Sequence, residues 1–130
     1  TIHIQPDNET LLPVLWQRLT NYTVVHGVDG LDIKPNYIYI APPNYHMLVK
    51  NGKIQLSSSQ KVCYSRPSID VTFESLANEY KDELLVILLS GYGKDGTNSL
   101  KILKDNKSRV IIEDPNGCEA QDIPLNAIIT

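Results

Sequence analysis

The chain has 130 residues, 42% hydrophobic and 21% charged, with twelve Lys+Arg against fifteen Asp+Glu for a net charge of −3. That is the composition of one globular domain, and with no run of four basic residues it excludes a phosphate-neutralising nucleic-acid surface. The longest unbroken apolar run, Leu84 to Leu89, is far below the roughly 20 residues that span a bilayer, and no basic segment leads into an apolar one at the start. The expectation is therefore a cytoplasmic chain with no membrane insertion and no secretion signal. Cys63 and Cys118 lack CxxC spacing and read as two thiols in a reducing compartment rather than a metal or redox pair. The chain opens on Thr-Ile-His and stops at Ala-Ile-Ile-Thr, so residues 1–130 read as a single domain cut at both ends.

From Thr10, the residues Leu11, Leu12, Leu15, Trp16 and Leu19 recur at helical spacing and predict a helix with Pro13 in its first turn, where a missing N–H costs nothing. Short β-prone runs follow at Tyr22 to Val25, Tyr37 to Ile40, His46 to Val49 and Ile54 to Leu56, and Asn51-Gly52 between the last two is a two-residue hairpin signal. After Pro67, Ser68 is placed to cap a helix carrying Val71, Phe73, Leu76 and Tyr80, with Asp70 near its positive end. Leu84 to Leu89 is apolar at every position, as in a central parallel strand covered on both faces. A glycine-rich turn, a helix through Leu100, Ile102 and Leu103, and a strand from Arg109 to Glu113 complete a βαβ unit. The predicted fold is α/β, doubly wound, with a mainly parallel sheet flanked by helices and an antiparallel hairpin near residues 45 to 57.

The turn Gly91-x-Gly93-x-x-Gly96 admits two uses. It matches the dinucleotide fingerprint, follows a strand, opens a helix and has Glu113 and Asp114 downstream. Against that reading, the Asp95 carboxylate stands where backbone N–H groups would hold a pyrophosphate. The other use is an acid kept at the carboxyl end of a central strand, ready to orient a histidine, and a plain helix cap is a third possibility for Asp95.

Several segments together resemble the catalytic domain of the CheB-type chemotaxis protein-glutamate methylesterases. Leu88-Leu89-Ser90-Gly91-Tyr92-Gly93-Lys94-Asp95-Gly96 is similar to that family's strand and G-x-G-x-D-G turn, Arg66-Pro67-Ser68-Ile69-Asp70 to its R-P-S-[VI]-D segment, and Tyr37 to Met47 to its V-Y-I-A-P…H strand. Ile2-His3-Ile4-Gln5-Pro6 falls where the family carries its catalytic histidine. The resemblance implies a serine hydrolase of glutamate methyl esters on the cytoplasmic helices of chemoreceptors, with glutamine deamidation as a companion activity. In it His3 is the general base, Asp95 the acid of the triad, and the Tyr92 backbone N–H part of the oxyanion hole. Arg66 and His46 are placed at the substrate groove. No metal or cofactor is implied, and a receiver domain or histidine kinase is an expected partner. The family's nucleophile sits in a G-x-S-x-G-G loop, and no serine of this sequence has that setting. The chain by itself is therefore expected to be inactive. A catalytically silent signalling module and a dinucleotide-binding βαβ protein stand as alternatives.

Overall fold

The computed structural model describes residues 2–3 and 10–130, and the chain divides into two compact units, Thr1–Ser68 and Ile69–Thr130. Parallel strand pairs, flanking helices and an antiparallel hairpin make it an α/β protein. No helix among the described residues is long and apolar enough to cross a membrane.

In the first unit, α1 (Leu12–Gln17) is shorter than the apolar spacing predicts, and Leu11, Leu15 and Leu19 are exposed. The last turn tightens through the Leu19 N–H, which donates to the Trp16 carbonyl at 2.9 Å. The Gln17 amide fastens the helix to the next strand, donating to the Tyr22 carbonyl (2.9 Å) and accepting from the Val24 N–H (2.9 Å). Strands β1 (Thr23–His26) and β2 (Tyr37–Ile40) run parallel with Val24 opposite Ile38. Strands β3 (His46–Lys50) and β4 (Lys53–Ser57) form the antiparallel hairpin, closed by Asn51 and Gly52 at φ 53° and 69°. Two positive φ values in succession define the primed turn whose twist matches paired strands. Ala41, Met47 and Ile54 form the buried core of this unit, with Leu31, Ile33, Tyr39 and Leu56 packed on it. The loop from β1 to β2 is held to β4: Asp29 accepts the Leu56 N–H at 2.8 Å, and Asp32 pairs with Lys53.

In the second unit, α2 (Ile69–Tyr80), β5 (Leu85–Leu88), α3 (Leu100–Asp105) and β6 (Arg109–Ile112) follow in order, with β5 and β6 parallel and Val86 opposite Val110. Their core joins Ile69, Phe73 and Ala77 of α2, Val86 and Leu88 of β5, Leu103 of α3, and Ile123 and Ala127 of α4 (Asp122–Ile128). Helix α4 has no counterpart in the predicted elements: seven residues give too few turns for a periodicity to show. The expectation that β5 is covered on both faces is corrected here. Val86 and Leu88 are 3% and 2% exposed, but Leu85 and Ile87 are 48% and 55% exposed, so the helices cover only the Val86/Leu88 face.

Candidate active site at the glycine-rich turn

Strand β5 ends at Leu88, and the chain turns through residues 89–99 before α3. Open parallel sheets place their chemistry beyond the carboxyl ends of their strands, and Asp95 stands in that position. It is 1% exposed. Its two oxygens accept the first N–H groups of α2: Oδ2 from Ile69 at 2.7 Å and Oδ1 from Asp70 at 3.0 Å. Asp95 is thus a helix cap, but of α2, 25 and 26 residues earlier in the chain, and not of the helix that follows it. Two N–H donors at the positive end of a helix hold the carboxylate in one orientation.

The approach depends on Gly96. Its φ is +94°, and a Cβ there would lie 2.7 Å from Ile69 Cγ2 and 3.0 Å from Leu88 Cδ1. Only a residue without a side chain lets the turn come so close to the start of α2.

Asp70 returns the contact. It is 2% exposed, and its carboxylate accepts the Ser99 N–H at 2.9 Å and the Asn98 side-chain amide at 2.8 Å. Inside the turn, Ser99 Oγ donates to the Gly96 carbonyl (3.1 Å) and Thr97 Oγ1 to the Lys94 carbonyl (2.7 Å).

The beginning of the turn is held by the segment after β6. The Ser90 N–H donates to Glu113 Oε2 (2.7 Å), the Gly91 N–H to the Ala120 carbonyl (3.0 Å), and the Gly93 N–H to Asp122 Oδ2 (3.0 Å). Asn126 of α4 donates to the Gly93 carbonyl at 3.2 Å. Tyr92, between the two glycines, is 76% exposed, and among the described residues its N–H has no acceptor. Cys118 lies beside this segment, its thiol directed to the Asp114 carbonyl at 3.2 Å. Partial desolvation, followed by the charge of Glu113, pushes that thiol above its ordinary value of 9.0.

The geometry argues against a dinucleotide. The Gly91 and Gly93 N–H groups, which would cradle a pyrophosphate, already donate within the protein, and the first N–H groups of α2 are taken by the Asp95 carboxylate. Glu113 holds the Ser90 N–H, and Asp114 accepts the Asn116 N–H at 2.9 Å, so both acids considered for a ribose are engaged.

The other residues singled out in the sequence belong to the first unit. His3 is exposed. His46 opens β3 and is fully buried: Nδ1 accepts the Ser68 N–H at 3.2 Å, and Nε2 lies 3.0 Å from the Gln60 carbonyl, to which it donates. Both ring nitrogens are thus engaged within that unit. Arg66 is half-buried, with Nη1 donating to the carbonyls of Ser58 (2.8 Å) and Ser59 (3.0 Å) and with no carboxylate partner among the described residues. Asp70, Asp122 and Asn126 were not singled out as site residues. Asp70 had a signal, an acid in the first turn of a helix, but nothing in its spacing shows a partner 29 residues away. Asp122 and Asn126 lie on the unforeseen α4.

Fold and site together define an α/β protein that keeps a buried acid beyond a parallel strand, in a turn where the Tyr92 N–H has no acceptor among the described residues. The chain belongs to the CheB methylesterase family, whose model matches residues 1–130. It is 33% identical over 130 residues to the protein-glutamate methylesterase/protein-glutamine glutaminase of Thermotoga maritima, which covers 97% of this chain and 38% of that protein. It is 36% identical over 113 residues to a Leptospira interrogans protein, covering 86% of this chain and 58% of the relative. The crystal structure of the Thermotoga maritima CheB methylesterase catalytic domain superposes with a TM-score of 0.90 at 31% identity, over 98% of this chain and 69% of that one. The chain thus spans between about two fifths and three fifths of the length of these two relatives.

Proposed function

We propose that this chain is the part of a protein-glutamate methylesterase that carries the histidine and the acid of the triad. The substrate is the γ-glutamyl methyl ester on the cytoplasmic helices of chemoreceptors, glutamine deamidation is the companion reaction, and the work is done in the cytoplasm. A serine borne by a G-x-S-x-G-G loop outside these 130 residues attacks the ester carbonyl. His3 takes the serine proton and returns it to the departing methanol, and Asp95 accepts the imidazole Nδ1–H and fixes its tautomer. The Tyr92 N–H, which has no acceptor among the described residues, donates to the developing oxyanion. Because that role uses the backbone, the tyrosine side chain does not interfere with it. Arg66, with no carboxylate partner among the described residues, meets the acidic receptor helix.

The observation that carries this reading is the capping of Asp95 by the Ile69 and Asp70 N–H groups. It fixes the position and orientation of the acid, as an imidazole partner requires. The test is methanol release from methylated receptor. The 130-residue chain alone is expected to release none. Extended upstream through its reading frame, the protein is expected to turn over, and Asp95→Asn in that protein to lose about 10⁴ in rate. An extended protein that carries the serine loop yet hydrolyses no ester would favour the silent signalling module. Binding of NAD, strengthened by Asp95→Asn, would favour the dinucleotide reading.

A further inference from the structure

We propose that Asp70 is a positioning residue of this site: its buried carboxylate fastens the far end of the turn whose near end presents Asp95. The inference rests on the esterase reading for its effect on rate, and on geometry alone for its effect on Asp95.

Residue 70 takes part in both halves of one clamp. Its N–H donates to Asp95 Oδ1 at 3.0 Å, and its carboxylate accepts from Ser99 N and Asn98 Nδ2 at 2.9 and 2.8 Å. The first turn of α2 therefore grips the 95–99 loop at both ends. With the Ser99 end fixed, and Gly96 lying against Ile69 and Leu88 between them, Asp95 has no free hinge about which to swing. Released at Ser99, the loop would lean more heavily on the Asp95 carboxylate for its hold on α2, and a hydrogen bond to imidazole would then compete with that anchor.

The identity of the side chain matters as well. The Asp70 carboxylate accepts from the Ser99 backbone N–H and from the Asn98 amide. An asparagine there would satisfy Ser99 with its oxygen but turn an amide donor toward the Asn98 donor. Exchanging the two residues, with asparagine at 70 and aspartate at 98, restores one donor and one acceptor at that contact.

The test uses the full gene product with three variants: Asp70→Asn, Asp70→Ala and the exchange Asp70→Asn/Asn98→Asp. Three readouts are taken on each: kcat and KM for methylated receptor, amide exchange at Ile69 and at position 70, and amide exchange at Arg109, whose N–H donates to the Leu84 carbonyl between β6 and β5, as a reporter of the core. Asp70→Asn is expected to lower kcat about 10- to 100-fold, the scale of a small misplacement of a reacting group, with KM within twofold. The Ile69 and position-70 amides should exchange at least about tenfold faster while Arg109 is unchanged, because a lost backbone anchor opens locally rather than globally. The exchange variant is expected to recover most of kcat. A merely structural Asp70 would lower kcat only as it lowers the folded fraction and would accelerate all three amides together. That outcome, or Asp70→Ala with unchanged Ile69 protection, overturns the proposal. If the parent protein hydrolyses no ester, the esterase reading fails, and the exchange rates alone decide whether Asp70 positions Asp95.

Discussion

Cys118 shows how a single residue's surroundings set its chemistry. Its thiol is pushed above 9.0 by partial desolvation and by Glu113, so the reactive thiolate is scarce at neutral pH. Alkylation with iodoacetamide at pH 7.5, followed by mass spectrometry, should label it more slowly than a free cysteine, with the rate still rising at a pH where the free thiol has levelled off. The folded protein holds this proton more tightly than the unfolded chain does. The group's contribution to stability is therefore fully present below the ordinary thiol value and is lost as pH rises through the higher folded one. The Glu113→Gln variant removes the second of these influences and should speed labelling. Gly96 and Gly52 make a second comparison at this scale. Both have positive φ, but a Cβ at Gly96 meets Ile69 and Leu88, whereas one at Gly52 meets nothing within 4 Å. Gly52→Ala should cost about 1 kcal/mol of unfolding free energy in urea, from backbone strain alone. For Gly96→Ala the same strain is joined by overpacking, for a total of about 2 to 4 kcal/mol.

Individual elements differ in how plainly the sequence announces them. The hairpin is legible because Asn51-Gly52 dictates its turn and the alternation of Met47, Val49, Ile54 and Leu56 dictates its register. Helix α2 is legible because Pro67, Ser68 and Asp70 mark its start. Helix α1 is misjudged in length, since apolar spacing reports only which residues could share a face. Within it Leu15 is exposed and Leu12 half-buried, and the helix is fastened to β1 through Gln17. Strand β5 is misjudged in environment for a related reason: six apolar residues in a row permit burial on both faces but do not require it. Leu85, Ile87 and Ile111 leave an aliphatic face on β5 and β6, and such a face binds hydrophobic dyes. Ile87→Lys should reduce 8-anilinonaphthalene-1-sulfonate fluorescence on the 130-residue chain while shifting its urea midpoint little, since a side chain 55% exposed contributes little packing.

Across the whole molecule, the motifs shared with the methylesterases run from Ile2 to Gly96, which is why the family was readable from one sequence. The arrangement of the site was less so. Asp95 was found as the acid of a turn, yet its partners Ile69 and Asp70 lie 26 and 25 residues away. Pairings at such separations follow from how the core of the second unit packs α2 against β5, which no local pattern encodes. Gly96 is the one hint of that closeness in the sequence, because a glycine just past the acid is where a backbone must pass another at short range.

The capping of α2 by Asp95 also bears on how members of this family should be sorted. A residue that satisfies two buried N–H groups is retained under selection for folding alone, since its replacement strands both donors. Mutational drift in a lineage that no longer needed to hydrolyse esters would erase its serine and histidine long before its aspartate. The acid in the glycine-rich turn is therefore a marker of ancestry, and its presence alone does not sort working enzymes from silent relatives.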